Sequence, residues 1–240
     1  NPLLADITTD IVIIGTGITG SLVAHELNNA GLSCIMIDRQ SVSSGSSIAS
    51  TALLQYEIDT PLIELSEKIG EENAAIAYTA CLKSISDLDI VFKSIGYNPD
   101  FEKVPSVFYA TNRKGEQLIQ KEYTIRKKYD LPVNFLDKKE LENKYGIKAR
   151  CALENNASAQ MDPYAGATHI INYHMSKHKM KVFTHTNVER CEEIPSGYLL
   201  VTNRGNIIQS KYVIIAAGFD AGRFLPEKVM QLTSTYAIIS

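Results

Sequence analysis

Three glycines and one carboxylate are the residues of this sequence whose spacing most clearly predicts chemistry. Gly15, Gly17 and Gly20 form a GxGxxG pattern, and Asp38 follows 23 residues after Gly15. Glycines in this pattern allow a tight turn, a close approach of backbone to a pyrophosphate, and close packing of a helix on a sheet. The helix N-terminus stabilises phosphate charge, and an acid at this distance accepts hydrogen bonds from an adenosine ribose. The pattern therefore predicts a dinucleotide site.

The segments around these glycines predict the βαβ unit that such a site requires. The apolar run at 11–14 predicts a first strand, and an amphipathic stretch that ends at Gly31 predicts a helix. A second strand at 33–37 then delivers Asp38. A glycine-rich turn that only packs is the alternative, and the register of strand, helix, strand and acid favours a binding site.

Serines recur after the second strand, over residues 41–50 around Gly45. Such a loop has many hydroxyl and N–H donors, so it is either a solvated loop or a second phosphate-facing loop. Its place behind the βαβ unit favours the second interpretation. Residues 48–56 are apolar at helix-like spacing, which predicts a helix with Ser47 as its N-cap.

The rest of the chain alternates between helical and β patterns. Helices are predicted over 61–70, 71–95, 113–129, 138–145 and 163–177, and strands over 107–110, 152–154, 158–161 and 181–184. Short segments at 187–192, 198–202 and 207–209, separated by turn residues, predict an antiparallel meander. A buried apolar strand at 213–216 ends in Ala217 and Gly218, and a further helix is expected from Asp220 to Phe224. The fold class is mixed α/β, with a Rossmann-like domain whose parallel sheet carries the meander across one side.

Composition excludes several classes of protein. The 240 residues, 45% of them hydrophobic, suit one large domain or two interleaved ones, and a net charge of −3 argues against a nucleic acid or an anionic membrane as partner. No apolar run is long enough for a transmembrane helix. Four widely spaced cysteines without a CxxC pair predict reduced thiols in a cytoplasmic protein. His174 and His178 lie four residues apart without a third ligand, so we expect surface histidines and no metal site.

The order of these parts resembles the FAD-dependent amine and D-amino acid oxidase superfamily, in particular the branch that contains glycine oxidase. The resemblance rests on DIVIIGTGITGSLVAHEL, on IDRQ followed by GSSIASTALL, on AQMDPYAGA, and on NVERCEE through VIIAAGFDAG. It implies FAD as the cofactor. The residues that it implies for cofactor binding are Gly15, Gly17, Ile18, Thr19, Gly20, Asp38, Arg39, Ser46, Ser47, Thr51, Ala52, Leu53, Val188, Ala216, Ala217 and Gly218.

The resemblance also implies a role for each group of these residues. Ile18 and Thr19 would donate backbone N–H groups to the pyrophosphate, and Asp38 would bind the adenosine ribose, with Arg39 beside the adenine. Ser46 and Ser47 would hold phosphate or ribitol oxygens. The small residues at 51–53 would pass beside the isoalloxazine, Val188 would use its main chain on the adenine edge, and 216–218 would approach the cofactor from a strand end.

The implied domain organisation is an FAD-binding domain in two parts, 1–75 and 161–225, with a helical and substrate-domain insertion at 76–160. Residues 226–240 would begin a substrate-domain strand at which the chain looks truncated. Members of the superfamily run longer, so we expect their catalytic and substrate-binding groups beyond Ser240 and name no catalytic residue. We also expect weak FAD binding and no oxidase activity from these 240 residues alone. The apolar stretch at 234–239 would favour self-association, so a homo-oligomer is open.

The activity implied is oxidation of a small amine or amino acid by hydride transfer to flavin. Two other enzyme classes stay open: a flavin-dependent hydroxy-acid or glycerol-phosphate dehydrogenase, and an NAD(P)-dependent oxidoreductase. Long helices and the meander argue against the latter, because they interrupt a second mononucleotide-binding half. A non-catalytic nucleotide-binding module is the alternative outside the enzymes.

Overall fold

The computed structural model describes residues 1–225 and divides into two compact units. Within the described residues, the first consists of Asn1–Thr51 and residues 162–225, and the second is Ala52–Met161. The predicted boundary after residue 160 lies within one residue of this division. The one predicted after residue 75 does not, because Tyr56 and Leu62 share a core with Tyr78 in the second unit.

The strands and helices have the following bounds, each set numbered in chain order. The strands are β1 (Ile7–Ile14), β2 (Cys34–Ile37), β3 (Leu53–Leu54), β4 (Glu102–Lys103), β5 (Ser106–Ala110), β6 (Asn134–Asp137), β7 (Cys151–Asn155), β8 (Ala159–Gln160), β9 (Lys181–Phe183), β10 (Val188–Ile194), β11 (Gly197–Thr202) and β12 (Ile207–Ile215). The helices are α1 (Ile18–Asn29), α2 (Leu62–Ile69), α3 (Glu71–Ser94), α4 (Arg113–Lys128), α5 (Lys138–Tyr145) and α6 (Pro163–Lys177), and a 3-10 helix follows at Gly218–Phe224.

The first unit is built on one six-stranded sheet in the order β10-β11-β12-β1-β2-β9. The four strands from β12 to β9 run parallel, as predicted, and β1 lies between β12 and β2. The end of β1, 11–14, is buried, which suits a strand covered on both faces. This arrangement brings the carboxyl ends of β1, β2 and β12 to the same edge, where ligands of open α/β sheets bind.

The antiparallel meander is confirmed, but its predicted placement across one side of the sheet is wrong. The segments 207–209 and 213–216 form a single strand, β12, which pairs with β11 on one side and with β1 on the other. The meander therefore extends the sheet edgewise. The predicted burial of 213–216 is also incomplete: β11 pairs only as far as Ser210, and Ile215 is 38% exposed in the described chain.

Helices α1 and α6 pack together in the first unit. Ala24 of α1 and Ile171 of α6 lie in a core cluster with Ile13 and Met36 of the sheet. His174, which we expected at the surface, is fully buried because α6 packs against α1. Its Nε2 lies 3.0 Å from Nδ1 of His25 in α1, so the two rings share a hydrogen bond. No helix within residues 1–225 is long and apolar enough to cross a membrane.

The second unit combines α2 to α5 with two three-stranded sheets, ordered β3-β8-β4 and β5-β7-β6. Tyr78 and Phe92 of α3, which was predicted as a helix over 71–95, are buried. Asp137 forms the capping box that begins α5, with Glu140 as its partner. The predicted helix at 48–56 is absent, because these residues form turns and β3, and the strand β6 was not predicted.

Candidate nucleotide-binding site

The glycine turn, residues 15–20, joins β1 to α1. Backbone contacts leave no room for a side chain at its first and last glycines. Gly15 has φ +112°, and a Cβ there would lie 2.3 Å from the carbonyl oxygen of Ala216. A Cβ on Gly20 would lie 2.1 Å from the carbonyl oxygen of Gly15. These two glycines therefore serve the tight turn and the close packing of helix on sheet. A Cβ on Gly17 would lie 3.0 Å from Oγ of Ser47, so Gly17 leaves room for the serine loop.

Asp38 lies directly beyond β2, with both carboxylate oxygens held by its own chain. Oδ2 accepts hydrogen bonds from the N–H of Thr16, at 2.8 Å, and from Oγ1 of Thr16, at 2.6 Å. Oδ1 accepts the N–H of Gln40 at 2.9 Å. The main chain of Asp38 bonds to Phe183 and Thr186. The carboxylate is therefore fixed beside the glycine turn.

The serine loop contacts the start of α1. Ser47 is buried, and its Oγ accepts the N–H of Ile18 at 2.9 Å. Ser47 thus supplies the side-chain cap that Gly17 lacks. The donation of the Ile18 N–H to a pyrophosphate stays a prediction. The N–H of Thr19 has no acceptor within residues 1–225. The hydroxyl proton of Ser47 and the N–H of Thr19 are thus among the donors left at this helix end.

The facing wall comes from the ends of later strands. Ala216 follows β12, and its N–H bonds to the carbonyl of Ile14 at 2.8 Å. Val188, at the start of β10, is buried. Arg39 and Asp220 form an ion pair at 2.6 Å, with 48% and 39% of their side chains exposed.

These segments enclose a cavity of about 450 Å³. The predicted site residues that line it are Gly15, Gly17, Ile18, Thr19, Asp38, Arg39, Ser46, Ser47, Val188, Ala216, Ala217 and Gly218. Gly20 is buried beneath the turn. Thr51, Ala52 and Leu53 do not line the cavity, and the latter two belong to the second unit.

Sequence reasoning missed several residues of this region. Thr16 occupies a variable position of the GxGxxG pattern, and Ser43 was not separated from the other serines. Asp220 could have been found as an acid complementary to Arg39. The other cavity-lining residues that were not predicted are Ile14, Ile37, Gln40, Gly45, Thr186, Asn187, Phe219, Arg223 and Phe224.

Comparisons with known proteins agree with this geometry. The sequence matches the family described as FAD dependent oxidoreductase over residues 10–240. It is 24% identical over 155 residues to YhfW of Bacillus subtilis, which is named as a Rieske 2Fe-2S iron-sulfur protein; the match covers 65% of this chain and 30% of YhfW.

Two solved structures have the same fold as most of the chain. Glycine oxidase from Geobacillus kaustophilus superposes with a TM-score of 0.74 at 19% identity, covering 90% of this chain and 57% of that enzyme. L-alpha-glycerophosphate oxidase from Mycoplasma pneumoniae, with FAD bound, has a TM-score of 0.72 at 18% identity, covering 91% and 56%. The chain thus spans little more than half the length of these enzymes. Because the family match covers nearly the whole sequence and includes the glycine turn, Asp38 and the end of β12, the chain belongs to the FAD-dependent oxidoreductase family.

Proposed function

We propose that this chain holds the adenosine half of FAD, and that the full-length protein oxidises a small amine or amino acid. One observation carries the first part of the proposal. The carboxyl ends of β1, β2 and β12 bring the glycine turn, Asp38 and 216–218 around one cavity. Glycines, a helix N-terminus and a ribose-binding acid in one cavity are what an adenosine diphosphate group requires.

The residues of the cavity fit this group. Its volume of about 450 Å³ lies within the usual range of small-molecule sites, roughly 300–1,000 Å³. The N–H of Thr19 and the hydroxyl of Ser47 would donate to the pyrophosphate, and Asp38 would accept from the ribose. The buried Val188 would offer main-chain groups to the adenine edge. Arg39, paired with Asp220, would cover the adenine side.

The remaining sites extend the proposal toward the flavin ring. Ser46 and Gly218 line the same cavity, and a Cβ on Gly218 would lie 3.7 Å from Oγ of Ser46. We assign both to the ribityl side of the cofactor. The family resemblance alone supports 51–53 beside the isoalloxazine.

The chemistry of the reaction would be supplied by the cofactor, which accepts a hydride when bound. This chain's part is to bind and orient it, since its cavity offers hydrogen-bond donors and the carboxylates of Asp38 and Asp220. The likeness to glycine oxidase supports an amine or amino acid as substrate. The likeness to the glycerophosphate oxidase supports a second candidate, oxidation of a hydroxyl group in a glycerol-phosphate type substrate.

A spectrum of the freshly purified full-length protein tests the proposal. We expect visible flavin bands that bleach under anaerobic conditions when an amine or amino acid is added. Bleaching by glycerol 3-phosphate or a 2-hydroxy acid, but by no amine, would support the second candidate. A colourless protein that takes up NAD(H) and no FAD would refute both.

A further inference from the structure

Thr16 lies in the glycine turn, but the proposed function gives it no contact with the cofactor. It is fully buried and does not line the cavity, yet all three of its polar groups are used. Its N–H and hydroxyl donate to Asp38, at 2.8 and 2.6 Å. Its carbonyl oxygen accepts the hydroxyl of Ser43 at 2.8 Å. Thr16 therefore touches the binding acid and the serine loop at once.

The direction of the bond between Thr16 and Asp38 follows from chemistry. An ionised carboxylate only accepts hydrogen bonds, so the hydroxyl proton of Thr16 must point at Oδ2 of Asp38. The lone pairs of Thr16 Oγ1 are then free to accept, and the N–H of Ser43 donates to Oγ1 at 3.1 Å. A hydroxyl that both donates and accepts has one orientation, so the contact with Asp38 is directional.

The bonds to Asp38 decide how much of its carboxylate is left for a ligand. A carboxylate has about four lone-pair positions, two on each oxygen. The N–H and hydroxyl of Thr16 occupy both positions on Oδ2, and the N–H of Gln40 occupies one on Oδ1. One position on Oδ1 remains. Asp38 can therefore accept a hydrogen bond from one ribose hydroxyl, but cannot grip two hydroxyls with its two oxygens.

Ser43 adds a second constraint to Thr16. Its φ of +57° lies in the left-handed region, which is costly for a serine. Two hydrogen bonds to Thr16 hold this conformation, and Ser43 is 1% exposed. Thr16 is thus held from the side of the serine loop. The bond from the main-chain N–H of Ser43 to Oγ1 is the one that keeps the hydroxyl of Thr16 aligned with Asp38.

We propose that Thr16 is a positioning residue of the nucleotide site. It occupies Oδ2 of Asp38, so that only Oδ1 accepts a hydrogen bond from the ligand, and from a single ribose hydroxyl. The ligand class is an adenosine diphosphate group, so this inference rests on the proposed function. Thr16 acts through Asp38 because it does not reach the cavity itself.

The test measures the affinity of the full-length protein, freed of flavin, for ADP, 2′-deoxy-ADP and 3′-deoxy-ADP. In the parent, loss of one ribose hydroxyl should weaken binding about five- to thirty-fold, the scale of one hydrogen bond, and loss of the other should have little effect. Equal losses of affinity for both analogues would show that Asp38 binds both ribose hydroxyls, and would overturn the proposal.

Three variants separate positioning from folding. Thr16→Val removes the hydroxyl at nearly constant shape and should weaken ADP binding about five-fold or more. It should also reduce the discrimination between the two deoxy analogues, because Asp38 gains a free position on Oδ2. Thr16→Ser keeps the hydroxyl and should restore both properties. In an Asp38→Asn background, Thr16→Val should cause little further loss of affinity.

Ser43→Ala is the matched control, because it removes a bond to the carbonyl of Thr16 and leaves the bonds to Asp38 in place. It should lower the melting temperature while the choice between the deoxy analogues stays unchanged.

If the parent binds neither ADP nor FAD, the proposed function fails and this inference fails with it. If the parent binds ADP and Thr16→Val keeps its affinity and its discrimination, only this inference fails. If Thr16→Val does not fold, the parent's two analogue affinities and the Thr16→Ser variant decide the question.

Discussion

Asp38 shows at the scale of one residue how a carboxylate is prepared for a ligand. Its two oxygens are fixed by Thr16 and Gln40, so binding does not have to order the side chain. Asp38→Asn replaces an acceptor-only group by an amide and should weaken FAD binding by roughly 1–3 kcal/mol, the scale of a charge-assisted hydrogen bond. Titration calorimetry measures the effect. Asp10→Asn, at an exposed position in the middle of β1 that does not line the cavity, is the control. An Asp38→Asn affinity equal to the parent's would remove Asp38 from the site.

Gly20 tests the backbone contacts of the glycine turn. An alanine Cβ there would lie 2.1 Å from the carbonyl oxygen of Gly15, which the turn holds in place. Gly20→Ala should therefore lower the free energy of unfolding by about 1–3 kcal/mol or more, as overpacking does. Urea unfolding checks this value. Gly45→Ala, where a Cβ would meet nothing within 4 Å, should stay near the parent; equal stability of the two variants would contradict the geometry.

At the scale of elements, apolar periodicity predicted most of the fold. The helices α3 to α6 and the parallel strands have repeating buried positions that a sequence displays directly. The helix predicted over residues 48–56 was wrong, because their apolar spacing resembles that of a helix although Ile48 and Leu53 are exposed, in a turn and in β3. The edgewise meander could not be predicted, because the pairing of β12 on both sides depends on contacts between distant segments.

The contact between α1 and α6 contains two histidines that share one hydrogen bond. Burial lowers the pKa of His25 below its ordinary value; the nearby Glu26 acts in the opposite direction, and His178 and Lys177 lower the pKa as well. Burial, together with the nearby His25, His178 and Lys177, lowers the pKa of His174 to about 4. Nδ1 of His174 has no partner within residues 1–225, so a charge on this ring would gain nothing.

The pair therefore predicts acid lability. An unfolded histidine has a pKa near 6.5, so between about pH 6.5 and 4 the unfolded chain binds a proton that the folded chain refuses. Stability should fall as the pH is lowered through this window, by up to about 3 kcal/mol. Urea unfolding at several pH values measures the slope. His174→Gln should flatten the slope and His178→Gln should not; a flat profile in the parent would contradict the prediction.

At the scale of the whole molecule, the second unit is distinguished by a buried cation, Arg126. The second unit buries an ion-pair network in which Arg126 bonds to Glu122 at 2.8 Å and to Glu57 at 3.0 Å. The guanidinium also lies over the rings of Tyr56 and Tyr78, 5.7 Å from each centroid. Burial disfavours this charge, but the two carboxylates raise the pKa of Arg126 above its ordinary value.

Removing this cation should be costly. Arg126→Met leaves two carboxylates without their partner and should lower stability by about 3–5 kcal/mol, as broken buried pairs do. Lys83→Met breaks the exposed pair with Asp87 and should cost less than about 1 kcal/mol. Thermal unfolding compares the two variants. A similar loss in both would show that the network contributes no more than a surface pair.

The candidate site could be predicted from sequence where it depends on a motif, and not where it depends on tertiary contacts. Gly15, Gly17 and Asp38 follow from a spacing that the βαβ geometry imposes. The capping of Ile18 by Ser47 and the fixation of Asp38 by Thr16 depend on a loop whose path no periodicity describes. The expected unpaired stretch at 234–239 lies outside the described residues.

The central claim is that the cavity beside the glycine turn holds the adenosine half of FAD. Competition against FAD bound to the full-length protein tests it most directly, with ADP and FMN as the two competitors. Because ADP carries the groups that Asp38, Thr19 and Ser47 would contact, the account predicts that ADP displaces FAD and that FMN does so far less well. Displacement by FMN with no effect of ADP would contradict it.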